Sequence, residues 1–260
     1  MNAPVIDIVT PVRDTVSANE WATRVNLAAC YRLMHEFGMT ELISNHITAR
    51  LPENANHFLV NPYGPLYNQM TASCLIKLDI DGNVLLNPNR ELKHSPSGYV
   101  IHGAIHAARH DVDCVIHTHT LAGMAVSAMK CGLLPIAQIS MRWSKGVSYH
   151  DYESIASNVD EQQRLVADLG ENNAMILRNH GLLTCGASIA ECFNSMYWLK
   201  RACDLQVMMM SCQTETVVPS QNIIDKTWNS YQPGVRRRWG ELEWPALLQE
   251  LDRIDAAYRN

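Results

Sequence analysis

His117 and His119, one residue apart, and His180 further on are the residues whose type and spacing point most directly to chemistry. Asp113, Cys114, Val115 and Ile116 precede the pair and read as a short buried strand that ends at a turn. In extended backbone the side chains at i and i+2 leave the same face. The two imidazoles are therefore expected to aim at one point at the strand exit. His180 follows a second apolar run, Ala174-Met175-Ile176-Leu177, and leads into Gly181. Three neutral imidazoles that converge at roughly 2.0–2.1 Å from an ion make a divalent-metal site with an open coordination position. The alternative is that the rings merely cap two strand ends by hydrogen bonding.

The rest of the chain must position those rings. Its 260 residues and 47% hydrophobic content suffice for one α/β domain with a sizeable core. A formal charge of −5 supplies no electrostatic footprint for nucleic acid or an anionic membrane surface. The basic run Arg236-Arg237-Arg238 is expected to lie on a solvated helix face. Eight cysteines occur without C-x-x-C spacing, and Cys30, Cys114, Cys131, Cys192 and Cys203 sit in apolar surroundings suited to reduced, buried thiols. The first residues lack a signal-peptide pattern, and no apolar run approaches the ~18 residues of a membrane span. A cytoplasmic protein is expected.

Residues 1–17 read as an arm. Trp21, Val25, Ala28, Ala29, Leu33 and Phe37 recur at helical spacing up to Gly38, with His35 expected at a surface. Strands are predicted at 46–51 and 57–60, then a turn at Asn61-Pro62-Tyr63-Gly64-Pro65 and a hairpin over 75–79 and 84–85 about Asp81-Gly82. A helix over 99–109 places His102, His106 and His110 on one face. No catalytic carboxylate accompanies them as in H-E-x-x-H, so this face is expected to pack near the sheet. Helices follow over 121–129 and 161–169, with an irregular or strand-like stretch between them. A strand pair at 174–178 and 181–185 comes next. The capping box Ser188-Ile189-Ala190-Glu191 opens a long helix to about Met210, where Met208, Met209 and Met210 are expected to pack. A linker over 214–219 and a last helix over 244–258 complete a single domain, 1–260, with an antiparallel sheet between helical layers.

The set Asn61-Pro62-Tyr63-Gly64, His117-Thr118-His119 and Arg178-Asn179-His180-Gly181 resembles the class II aldolase/adducin family over most of the chain. The stretch 126–136, with Tyr149-His150-Asp151-Tyr152, looks especially like the head domain of adducin. The resemblance implies an α/β fold, a three-layer αβα sandwich about a central, mostly antiparallel sheet, and a cyclic homotetramer. It implies His117, His119 and His180 as ligands of a divalent metal, zinc first and manganese or iron as alternatives. It also implies Asn45, Gly64 and Ser97 as substrate-binding positions.

Departures from the family pattern are equally specific. The glutamate that serves sugar-phosphate aldolases as ligand and base falls at Gly98, as in adducin. Pro96 replaces one of two expected serines, and the aldolase tyrosine falls near Ile139. His94, and Tyr149 or Tyr152 from a neighbouring subunit, are candidates for the missing base, with Glu91, His102 and a metal-bound hydroxide as further possibilities. The expected activity is a divalent-metal-dependent lyase that cleaves or decarboxylates a small oxygenated carbonyl compound through a metal-stabilised enediolate. The alternatives are a non-catalytic, adducin-like interaction protein and an iron-dependent oxygenase on the same fold.

Overall fold

The structure is a computed structural model that describes residue 8 and residues 11–154 and 159–260, with the backbone alone at Pro96, Ser97, Tyr99 and Val159. Most of the expected arm, residues 1–7 and 9–10, lies outside the described residues. Its described part is not loose: Ile8 bridges to Asn89 and Val12 is buried.

Helix α1 spans Ala18–Glu36, and the Ser17 hydroxyl caps it by accepting the Glu20 N–H at 3.0 Å. Strands β1 (His46–Leu51), β2 (Asn54–Val60), β3 (Ile76–Asp79) and β4 (Val84–Leu86) form the expected meander. Helix α2 runs from Pro96 to Ala108. It starts earlier than predicted because Ser95 is its N-cap and Pro96 takes the first helical position, where its fixed φ and missing N–H are tolerated. Strand β5 (Cys114–Thr118), α3 (Leu121–Ser127), α4 (Gln138–Met141), β6 (Ser148–His150) and α5 (Val159–Leu169) follow. Strands β7 (Ala174–Leu177) and β8 (Gly181–Gly186) lead into α6 (Ile189–Ser211), α7 (Gln221–Ser230) and α8 (Glu243–Ile254).

The strands form an eight-stranded sheet in the order β4-β3-β2-β1-β5-β8-β7-β6. Only the β6–β7 pairing is parallel; the others are antiparallel. Ile47, Cys114, Ile116, Ala174 and Leu182 face one layer, where they pack with α1 and α6. Val115, Met175, Leu183 and Cys185 face the other, against Ile101 and Ile105 of α2 and Leu165 and Leu169 of α5. This is the αβα sandwich expected. Alternation along β5 sends His117 to the α2/α5 side, like Val115.

Several local expectations fail for identifiable reasons. His110 does not share the face of His102 and His106, because α2 ends at Ala108 and His110 is exposed in the turn beyond. Helix α7 lies where the sequence suggested only a linker, with Ile224 as its buried anchor. Arg236–Arg238 sit in an exposed loop between α7 and α8, not on a helix. Met208 and Met210 are exposed rather than packed. All eight cysteines are free, and Cys131 is exposed, while Cys74 and Cys185 join the buried ones. No helix among the described residues is long and apolar enough to cross a membrane.

Candidate metal centre

Strands β5 and β8 run side by side with His117 opposite Leu183 and Thr118 opposite Leu182. The chain reaches β8 from β7 through a tight turn in which Asn179 has φ 55°, a left-handed conformation that asparagine tolerates better than most residues. Gly181 then passes against β5 so closely that a Cβ there would stand 2.3 Å from the Thr118 carbonyl oxygen. The N-H-G spacing is thus a backbone requirement that delivers His180 to the exit of β5.

There the three Nε2 atoms meet. His117 Nε2 is 2.7 Å from His119 Nε2, and His119 Nε2 is 2.9 Å from His180 Nε2. The other ring nitrogens fix the tautomers. His117 Nδ1 donates to the Leu182 carbonyl at 3.0 Å, and His119 Nδ1 donates to Glu41 Oε2 at 2.8 Å. A neutral ring that donates from Nδ1 keeps a lone pair on Nε2. Lone pairs aimed at one point repel unless a cation lies between them, so the donor set fits a divalent metal. It is the one cluster of metal-ligating groups found among the described residues. Burial, then the neighbouring His46, His180 and His119, holds His117 well below the usual imidazole range. Burial and His119 bring His180 down to about 4. Both rings are therefore neutral at pH 7, as ligands must be.

Behind the triad, on the α2 side of β1, lies a second set of imidazoles. His46 Nδ1 is 3.0 Å from His102 Nε2. His102 Nδ1 is 2.9 Å from the Thr48 hydroxyl, which is 2.8 Å from His106 Nε2. A hydroxyl has one proton, so Thr48 donates to one ring and accepts from the other. Burial pushes His46 and His106 down to about 3. The His46 ring stands 5.1 Å from that of His117, and a Cβ on Gly98 would meet its Cγ at 2.9 Å. His46 therefore fills the space that a side chain at position 98 would enter.

The remaining candidates are distributed unevenly. Asn45 is buried; its Oδ1 accepts the Glu41 N–H at 2.6 Å and its Nδ2 has no partner. Gly64 turns the loop after β2 with φ 129°. Ser97 lies in the first turn of α2, its side chain outside the described part of the structure. His94 is half-buried with Nδ1 3.2 Å from the Ser95 carbonyl. The Tyr149 hydroxyl accepts the Leu133 N–H at 2.9 Å and its ring carries the Arg178 guanidinium at 4.2 Å. Tyr152 is 53% exposed, its ring 6.1 Å from that of His180. Two groups beside the triad escaped sequence reasoning. Glu41 lies 78 residues from His119, and only the fold joins them. His46 opens an ordinary strand, and nothing local marks its cross-strand pairing with His117.

Residues 25–207 match the family model described as the Class II Aldolase and Adducin N-terminal domain. A Pseudomonas aeruginosa protein named "Putative aldolase class 2 protein" is 48% identical, over 95% of this chain and 96% of its own. Alpha-adducin of Rattus norvegicus is 41% identical over 96% of this chain, which spans 36% of that longer protein. Among solved structures, an aldolase II superfamily protein from Pseudomonas syringae superposes with a TM-score of 0.90 at 46% identity, covering 96% of this chain and all of its own. The L-fuculose 1-phosphate aldolase of Glaciozyma antarctica follows with 0.83 at 26% identity, covering 96% and 97%. The chain belongs to the class II aldolase and adducin family.

Proposed function

We propose that the protein is a divalent-metal-dependent lyase of the aldol type, acting on a small oxygenated carbonyl compound, with His117, His119 and His180 as the ligands. The observation that carries this is the convergence of the three Nε2 atoms, with two of the tautomers fixed by hydrogen bonds at Nδ1. A scaffold has no chemical need for such an arrangement. A divalent ion there, zinc first and manganese or iron next, supplies Lewis-acid stabilisation of the negative charge that develops when a C–C bond breaks or a proton leaves. Around it the chain contributes orientation. Glu41 and the Leu182 carbonyl hold two rings in place, and the unpartnered Asn45 Nδ2 offers a buried donor for substrate oxygen. Gly64 and Ser97 complete the proposed substrate contacts, and Tyr152 is the better placed of the two tyrosines to reach substrate. The likeness to an L-fuculose 1-phosphate aldolase supports an aldol cleavage, while Gly98 in the glutamate position favours a different base and an unphosphorylated substrate or a decarboxylation.

The same reading takes 1–260 as a single domain of a cytoplasmic homotetramer. Exposed apolar side chains at Leu42, Leu121 and Tyr152 near the triad support assembly. Elemental mass spectrometry of the purified protein beside His117→Ala/His119→Ala tests the core of the proposal. About one metal per chain, lost in the variant, is expected; no metal even after reconstitution would sink it. Gly98 and the similarity to alpha-adducin favour, as a second reading, a non-catalytic interaction module, which that outcome would leave standing. Preference for iron over zinc in reconstitution would redirect the search toward oxygenase chemistry.

A further inference from the structure

Strand β6 ends at His150, which is buried and pairs with Leu177 at the end of β7. Its Nδ1 donates to Asp168 Oδ2 of α5 at 2.7 Å. That bond turns Nε2 the other way. Nε2 is buried without a hydrogen-bond partner, and the nearest carboxylate oxygen, Glu161 Oε1, stands at 3.7 Å. The ring lines a cavity of about 10 Å³ whose walls include Tyr152, Glu161, Arg178 and His180. Such a volume holds about one water. Of the other acidic groups nearby, Glu153 is tied to Arg164 at 2.7 Å, and Asp151, exposed on its outer side, also borders the cavity.

We propose that His150 is a proton-transfer residue for the metal site, acting through the water of this cavity and oriented by Asp168. The inference rests on the lyase reading above and supplies the base that Gly98 cannot. A proton leaves the carbon beside the substrate carbonyl for the water. The water passes one of its own protons to His150 Nε2, and the electron pair stays on the substrate. Asp168 balances the imidazolium charge; in cleavage the ring takes up, through the water, the proton of the hydroxyl on the carbon that leaves as the aldehyde, and returns it to the enediolate carbon once the C–C bond has broken. His150 lines one cavity with the proposed ligand His180 and has its tautomer set by a carboxylate, the placement of an acid–base group that works through a water. The merely structural role, fastening α5 to β6, requires no cavity shared with a ligand.

The test is deuterium exchange into a hydroxyketone, dihydroxyacetone with and without a phosphate, by metal-loaded protein in D2O. His150→Gln is expected to slow the exchange by about 100-fold, with metal content and KM unchanged. The Asp168 side chain is 46% exposed, so Asp168→Asn keeps the fold; it is expected to slow exchange about tenfold and to move the acid limb of the pH profile. Folded, metal-loaded His150→Gln that exchanges within about threefold of the parent would overturn the proposal while leaving the lyase reading intact. A parent protein that exchanges neither ketone with any of the three metals overturns both. A readout without turnover is the imidazole ¹⁵N spectrum of the metal-free protein. It should show a His150 ring protonated at Nδ1 with a bare Nε2, and a ring that carries its proton on Nε2 instead would leave only the structural role.

Discussion

Glu41 Oε2 stands 2.8 Å from His119 Nδ1, so the ring that faces His117 and His180 is aimed from a turn just beyond α1. A carboxylate at this position raises ligand basicity and fixes the ring, effects usually worth 10–100-fold in metal affinity. Glu41→Gln, which keeps the shape and a weaker acceptor, is expected to fall at the low end of that range. Glu41→Ala is expected at the high end, with no loss of fold because the side chain is 47% exposed. Chelator competition on the reconstituted protein reads the difference directly.

The contact between Gly98 and His46 makes a second prediction. Gly98→Ala places a Cβ 2.9 Å from the His46 Cγ, in a fully buried setting where neither α2 nor β1 can give way cheaply. Overpacking of this kind costs about 1–3 kcal/mol. His46→Ala should relieve it, so the double variant should be destabilised by less than the sum of the single ones. Urea unfolding of the four proteins gives the coupling, and strict additivity would show that the two positions do not compete for space.

Acid should unfold the protein through its buried imidazoles. His106 has its pKa pushed from 6.5 to about 3 by burial, and His102 is lowered well below 6.5 for the same reason. Below the unfolded value the unfolded chain binds protons that the native state refuses. The stability these groups permit is therefore full above about pH 6.5 and is lost as pH falls toward about 3. The thermal midpoint of metal-free protein should drop steeply between about pH 6 and 4. His106→Phe, which keeps the stacking on Phe58 (centroids 5.3 Å apart), should flatten that slope.

Arg142 holds the C-terminal segment. Its guanidinium lies 4.1 Å from the Trp239 ring, 4.5 Å from Tyr231 and 5.2 Å from Trp198, and burial pushes its pKa down to about 10. Arg142→Ala empties this cage and should cost about 2 kcal/mol. Proteolysis between α7 and α8 should accelerate accordingly, and an unchanged cleavage rate would show that the cage does not secure the segment.

The fold class was legible because apolar periodicity carries it: the β1–β4 meander, the runs before His117 and His180, and the capping box at Ser188 each appear where the residues indicate. Helix α7 was not, because it is 10 residues long and buries only Ile224, too short an apolar stripe to stand out in the sequence. At the site, the triad could be read from H-x-H and N-H-G, since period-two alternation and a tight turn are local rules. Glu41, His46 and His150 could not. Each takes its meaning from a partner brought alongside by strand pairing or helix packing, and a side chain's spacing in its own segment is silent about that partner.

The adjacency of β5 and β8 has one more consequence. His119 and His180 are 61 positions apart, and the span between them contains α3, β6 and α5. An ion bound to both closes that span as a reversible crosslink. Like a disulfide across a long loop, it would stabilise the fold chiefly by narrowing what the unfolded chain can explore. The bond proposed for chemistry would thereby staple about a quarter of the chain to the centre of the sheet.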